Sequence, residues 1–293
     1  MRRIKFTLEY LLVISFLAII RRVPLRMASG FGGWFARSIG VRMRRSTLAE
    51  SQLRTHLPQL TDTERRDVMV AMWDNLGRVI AEYPHLMAGH LDTHIEIIGR
   101  EHVDAVIASG KSALFISGHF GNWELAPKTI QLCGLPLHLV YRPPNNPLTD
   151  RIIDRIRRSY TLGHYGKGAE GAKGVLAAIR RHESIGILID QKDNTGVAVP
   201  FLGAPAMTSP SPAKLALKYG LPVIPVRAER ISGHHFRVTI YPPLAVPEPQ
   251  ADAQQREITY LTQMNAVISG WIEEAPAQWF WLHRRWPKLV KIG

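Results

Sequence analysis

Cysteine is almost missing from this chain. Cys133 is the single one among 293 residues, so no internal disulfide can form. Such sparse cysteine usage fits a reducing, cytoplasmic setting. Acidic residues are also in deficit: 24 Asp and Glu face 37 Lys and Arg, a formal net charge of +13. A surplus of that size calls for an acidic partner, whether nucleic acid, an anionic membrane surface or an acidic substrate. There is no internal repeat, and the 20 Pro and 23 Gly follow no period, which excludes collagen-like and low-complexity chains. What is present is an ordinary globular balance of 46% hydrophobic and 21% charged residues, which excludes a mostly disordered chain.

The amino terminus also lacks something, namely length in its apolar run. After Met1-Arg2-Arg3-Ile4-Lys5, the uncharged stretch from Tyr10 to Ile20 covers about eleven residues, where a full span needs about twenty. Arg21, Arg22 and Arg26 follow without a small-residue cleavage site, which argues against a secretory signal. The stretch reads as a helix lying on a membrane or shallowly inserted in it. Leu11, Leu12, Ile14, Phe16, Leu17 and Ile20 would enter the acyl region and the cations would meet lipid phosphates. A buried amino-terminal helix is the alternative. Phe31, Trp34 and Phe35 beside Arg37, Arg42, Arg44 and Arg45 suit the headgroup layer and support the surface reading. The simplest division is a membrane-associated helix over 1–25 and one domain over 26–293.

Thr61 and Glu64 stand at capping-box spacing, and Val68, Met72, Leu76, Val79 and Tyr83 recur at three and four, so 61–83 is expected to be a helix. Short apolar runs at 95–98, 113–117, 137–141, 185–189 and 223–226 alternate with helix-like stretches at 101–109, 122–132, 148–160, 170–182 and 211–219. That alternation predicts an α/β fold with a mixed, largely parallel central sheet flanked by helices. Phe236, Val238 and Ile240 alternate with polar neighbours as in a half-buried strand, antiparallel or at an edge, and 252–275 reads as a final amphipathic helix.

The most informative segment is Ala113-Leu-Phe-Ile-Ser-Gly-His-Phe-Gly-Asn-Trp-Glu124. A buried strand ends at Ser117, Gly118 and Gly121 permit a tight turn, and sites in open α/β sheets form at the carboxyl ends of strands. On one helix His119 and Glu124 would diverge, so they meet only if His119 lies in the turn and Glu124 in the next helical turn. A carboxylate beside an imidazole fixes its tautomer and favours its cationic form, as a general base requires. The same spacing also suits a purely structural histidine. A metal is not expected: none of the 12 His forms a pair with a downstream ligand, and His234-His235 merely precedes a strand. No Gly-x-Ser-x-Gly elbow and no phosphate-binding glycine loop is present. The dispersed cations match no nucleic-acid recognition motif, so no nucleic-acid partner is expected.

Taken together, several motifs resemble the late acyltransferases of lipid A biosynthesis, the lauroyl/myristoyl type, within the wider lysophospholipid-acyltransferase group. The resemblance rests on Ser117-Gly-His-Phe-Gly-Asn-Trp-Glu124, Val140-Tyr-Arg-Pro143 with Asn146-Pro147, Asp190-Gln191, Val199-Pro-Phe-Leu-Gly203 and Gln278-Trp-Phe-Trp-Leu-His-Arg-Arg-Trp286. Trp73, Asn75, Gly77, Arg78 and Glu82 look like the family's early helix. The family departs from this chain at Phe201-Leu202, where many relatives carry two aromatics.

The resemblance implies a glycerolipid-acyltransferase-like sheet and transfer of a fatty acyl chain from an acyl-carrier-protein thioester to a hydroxyl of a phosphorylated glycolipid, a lipid A precursor. It implies an active site on the cytoplasmic side of the bacterial inner membrane and no cofactor. His119 would be the general base and Glu124 its partner, in a ternary complex without an acyl-enzyme. Substrate contacts are expected from Asn122, Arg142, Asp190, Gln191, Arg284 and Arg285. Arg142 suits bidentate phosphate binding. Asp190 is open to three tasks: orienting Arg142 or His119, positioning the acceptor, or capping a strand end. The tryptophans near the carboxyl terminus are read as a packed segment rather than a cover over the lipid site. The acceptor is open between lipid A, a phosphatidylinositol mannoside and an ornithine-type lipid, and the donor between acyl-carrier protein and acyl-CoA.

Overall fold

The structure is a computed structural model that describes residues 2–141, 144, 146–166, 168–249 and 252–287. Helices α1 (Arg2–Ile20), α2 (Leu25–Gly40) and α3 (Arg44–His56) precede the long α4 (Asp62–Met87). The expected capping box opens α4: the Glu64 N–H donates to Thr61 Oγ1 at 3.2 Å, and the Thr61 N–H donates to a Glu64 carboxylate oxygen at 2.7 Å. The helix runs past the expected end at Tyr83 and straight through Pro84. Pro84 forgoes one helical hydrogen bond, but it, His85 and Leu86 are all buried, so packing holds the last turn. Gly77 on α4 and Gly32 on α2 let the two backbones touch, since a Cβ on Gly77 would lie 2.1 Å from the Gly32 carbonyl oxygen.

The chain then alternates, with a strand at each predicted apolar run and three more at 161–165, 197–201 and 204–208. In order come β1 (Ile95–Ile98), α5 (Arg100–Ser109), β2 (Leu114–Ser117), α6 (Leu125–Leu132), β3 (Leu137–Val140), α7 (Pro147–Arg157), β4 (Thr161–Tyr165), α8 (Ala169–Arg180) and β5 (Ser184–Leu188). A hairpin of β6 (Val197–Phe201) and β7 (Ala204–Thr208) stands apart, followed by α9 (Ser211–Tyr219), β8 (Val223–Ser232), β9 (His235–Ile240) and α10 (Ala253–Glu274). The main sheet has strand order β1-β9-β8-β2-β5-β3-β4, and every pairing is parallel except β8 with β9.

Central β2 is buried along its whole length, as a strand covered on both faces must be. Its alternate side chains feed two cores. Leu114 and Ile116 join the layer under α4, α8, α9, α10 and the terminal tryptophans. Phe115 points the other way, toward α5, α6 and α7.

One of two expectations about the sheet holds and the other needs correction. Strand β9 takes the first of its two expected places, antiparallel to β8, and β1 adds outside it in parallel. The helix expected over 148–160 ends at Arg157; the chain turns over 158–160 and then forms edge strand β4, which no apolar run announced. Helix α1 carries Leu8, Leu11, Leu12 and Ile19 to solvent, and on α2 the rings of Phe31, Trp34 and Phe35 are about half exposed. Among the described residues, no helix is long and apolar enough to cross a membrane.

Candidate active site

The turn after β2 is tight. The Phe120 N–H donates to the Gly118 carbonyl at 2.7 Å, and Gly121 adopts φ +56°, where a Cβ would strike the Ala228 carbonyl at 1.9 Å. The turn is gripped from both sides. From α4, Asn75 donates to the Gly121 carbonyl at 3.0 Å, while Glu82 accepts from Asn122 at 2.8 Å and from Arg230. From the carboxyl terminus, the Gly121 N–H donates to the Gln278 carbonyl at 2.9 Å and the Phe280 N–H to the His119 carbonyl at 3.0 Å.

This frame aims His119 at Asp190, just past the end of β5. His119 Nδ1 lies 2.9 Å from Asp190 Oδ1, and the His119 backbone N–H donates to Asp190 Oδ2 at 2.7 Å. Trp279 Nε1–H donates to the same Oδ2 at 2.7 Å. Asp190 is fully buried. Burial alone would raise its pKa, but the charge and hydrogen bonds of His119, helped by His283, hold it well below the usual carboxylate range. An ionised Asp190 accepts from Nδ1–H, which leaves His119 Nε2 with its lone pair. The Gln191 side-chain nitrogen sits 3.4 Å from that Nε2. His283, pushed down to about 4 by burial, stays neutral and lies 3.2 Å from the Asp190 carbonyl oxygen, so its Nε2–H supports the strand end.

Glu124 does not partner His119. Its carboxylate is buried. It accepts from Arg157 Nε at 3.0 Å and from a second Arg157 nitrogen, from the Tyr160 hydroxyl at 2.7 Å and from the Tyr83 hydroxyl. Burial would raise its pKa, but Arg157 and the two phenols outweigh this and lower it to about 2. Those phenols are in turn driven up, chiefly by burial. The expected contact fails because Asp190, distant in sequence, reaches His119 through its backbone amide as well as its ring.

His119, Trp123, Glu124, Arg157 and Gln191 share the wall of a cavity of about 740 Å³ with Leu139, Val140, Val175, Leu176, Ile187 and Leu215. A space of that size with few polar groups in an apolar lining suits one long aliphatic or drug-sized ligand.

The other expected contacts separate. Asn122 is fully buried and serves the turn: its side chain donates to Glu82 and accepts from the Glu124 N–H at 3.3 Å. Arg285 is turned into the protein and not toward the cavity. It is fully buried, donates to the Met207 carbonyl at 2.8 Å and to Thr208 Oγ1 at 2.7 Å, and stacks 4.5 Å over Phe201. Arg284 is exposed, and Arg142 lies outside the described residues. Trp279, Trp281 and Trp286 pack as anticipated, yet Trp279 also holds Asp190. Sequence reasoning passed over Tyr83, Arg157 and Tyr160. Arg157 follows the buried Ile156 at the end of an amphipathic helix, with Asp154 one turn earlier as an obvious local partner, so nothing in the sequence singles it out.

A model of the family described as bacterial lipid A biosynthesis acyltransferase matches residues 2–288. The chain is 26% identical to a lipid A biosynthesis acyltransferase of Haemophilus influenzae, covering 92% of this chain and 84% of that one. It is 28% identical to the lipid A biosynthesis lauroyltransferase of Escherichia coli, over 83% of this chain and 79% of the relative. It is also 28% identical to a phosphatidylinositol mannoside acyltransferase of Mycobacterium tuberculosis, over 73% and 66% of the two chains. With the match running nearly end to end and a His–Asp pair in an apolar cavity, the chain belongs to the bacterial lipid A biosynthesis acyltransferase family.

Proposed function

We propose that the protein transfers a fatty acyl chain from an acyl-carrier-protein thioester to a hydroxyl of a lipid A precursor, forming an acyloxyacyl group on the cytoplasmic side of the inner membrane. The observation that carries this reading is the His119–Asp190 pair opening onto a largely apolar cavity. Nε2 of His119 takes the acceptor's hydroxyl proton as its oxygen attacks the thioester carbonyl. The tetrahedral adduct collapses, the carbon–sulfur bond breaks, and the imidazolium returns the proton to the departing thiolate. Asp190 holds the tautomer and offsets the positive charge on the ring in between. Both substrates are present together, and no acyl-enzyme forms. Gln191 meets the hydroxyl, Arg142 and Arg284 meet acceptor phosphates, and the Glu124–Arg157 pair forms a rigid polar wall.

The test is a mass-spectrometric transfer assay with detergent-purified protein. Acyl-carrier-protein thioesters of several chain lengths, and acyl-CoA, are offered with a tetra-acylated lipid A precursor. The expected result is a mass gain of one acyl group, absent with His119→Ala. A second arm offers phosphatidylinositol mannoside, because the mycobacterial relatives act on it by name. Transfer only in that arm would move the acceptor assignment, and no transfer from folded protein to either acceptor would overturn the reading.

Membrane association rests on α1 and α2. Phe31, Trp34 and Phe35 cluster on one face, with ring centroids 5.8 and 6.0 Å apart, and Arg42, Arg44 and Arg45 are exposed just beyond. Exposed rings flanked by cations suit an anionic headgroup layer. Replacing all three rings with Glu should sharply reduce co-flotation with anionic vesicles while leaving the melting temperature near wild type, since the rings face outward. Equal flotation would remove this surface from the assignment.

A further inference from the structure

Away from His119, three imidazoles meet at the far end of the sheet. His94 ends the short turn before β1, His234 lies in the β8–β9 hairpin, and His235 opens β9. In sequence, His234 and His235 have no third partner. The fold supplies one, because β1 pairs in parallel with β9 in the register Ile95 to Phe236, which brings the preceding residues, His94 and His235, level with each other.

The three ring centroids form a nearly equilateral triangle with sides of 4.5, 4.6 and 4.8 Å. One nitrogen from each ring lies within 4.8 Å of the others. Imidazoles sharing a tetrahedral zinc-type ion at ~2.0–2.1 Å would place their ring centres about 5 Å apart and their ligand nitrogens about 3.3 Å apart. The ring centres are therefore close to ligating separation, and binding requires the side chains to rotate so that nitrogens now within 4.8 Å of one another close to about 3.3 Å. Among the described residues, none of the three rings has a side-chain hydrogen bond or ion pair. His94 and His234 are partly buried and His235 is exposed, so the cluster opens to solvent on one side.

We propose that His94, His234 and His235 bind one divalent transition-metal ion of the zinc type, with the fourth position left to water. An all-imidazole set without carboxylate favours zinc, cobalt, nickel or copper over magnesium or calcium. The ion would be a structural latch, fastening the start of β1 to the β8–β9 hairpin. That hairpin matters to the fold because Arg230, near the end of β8, donates to Asn75 at 2.8 Å and pairs with the buried Glu82 of α4. The latch makes no contact with His119.

Tag-free protein stripped with chelator is titrated with Co²⁺ and then with Zn²⁺. The expected result is saturation near one equivalent at micromolar protein. The visible cobalt spectrum should have the intensity of a four-coordinate ion and be erased by zinc, and zinc should raise the melting temperature. His235→Ala, at an exposed position, and His94→Gln should each lose the cobalt spectrum and the zinc-dependent thermal shift, while both metal-free variants melt close to the metal-free wild type. Lack of uptake by the wild type would overturn the proposal. So would a spectrum that persists in the His94→Gln/His235→Ala double variant, since uptake would then belong to other histidines such as His85 and His90.

Discussion

Asp190→Asn is expected to lower the rate of acyl transfer by about 10⁴-fold, the loss seen when a buried carboxylate that orients a catalytic histidine becomes an amide. The reason lies in how its two oxygens are used. Oδ2 accepts two hydrogen bonds, from the His119 backbone N–H and from Trp279 Nε1–H, and Oδ1 accepts from His119 Nδ1–H. An asparagine must keep its carbonyl oxygen where two donors converge, so its NH₂ falls where Oδ1 was. That NH₂ can donate only to an unprotonated Nδ1, which moves the ring proton to Nε2 and removes the lone pair that accepts the substrate proton. The bond count is preserved, so the variant should remain folded. His119→Ala should cost at least as much, and adding Asp190→Asn in that background should cost little more, because the two residues act as a unit. Single-turnover transfer measured for wild type, both single variants and the double variant decides the matter. Turnover of Asp190→Asn within a few-fold of wild type, or fully additive losses, would show that Asp190 does not act through His119.

How much of this was legible in the sequence depends on the range of the interaction. Capping of α4, the buried run of β2 and the helices that follow each strand depend on neighbours a few residues away, and each was visible as spacing. Strand β4 was not: Thr161, Gly163 and His164 interrupt any apolar alternation, and the segment is a strand because β3 lies beside it. The β6–β7 hairpin was hidden by Pro200 and Pro205, which face each other across a two-stranded ribbon outside the main sheet. At the site, His119 was legible because strand, glycine turn and histidine are contiguous. Proximity in sequence favoured Glu124 as its partner and left Asp190 with His119 as one of several open readings; the sheet decides for Asp190, because β2 and β5 lie together in register and set it beside the turn. Arg285 looked like an anion contact because it sits among Arg and Trp, yet its partners are the backbone and hydroxyl of β7, which no local pattern reveals.

The second large effect concerns stability. Glu124→Gln should destabilise the protein by about 3–5 kcal/mol, the usual cost of breaking a buried ion pair from one side, and so lower its melting temperature by roughly 10 °C for a chain of this size. Glu124 is 1% exposed and the Arg157 side chain 12%. Four donor groups converge on the carboxylate, two nitrogens of Arg157 and the hydroxyls of Tyr83 and Tyr160. An amide presents its own N–H groups to one pair of them and leaves the guanidinium without a counter-charge. The sign of the pH dependence follows from the depressed pKa. Its ordinary value of 4.5 falls to about 2 in the folded protein, so the stabilisation is complete above about 4.5 and is lost as the pH falls toward 2. The gap in melting temperature between wild type and Glu124→Gln should therefore be constant near neutrality and narrow below pH 4.5. Removing the stranded charge as well, in Glu124→Gln/Arg157→Met, should recover part of the loss. A carboxylate that served only as the partner of the catalytic base would give the opposite pattern, with turnover abolished and the melting temperature unmoved. Scanning calorimetry of the wild type and the two variants across this pH range separates the two cases.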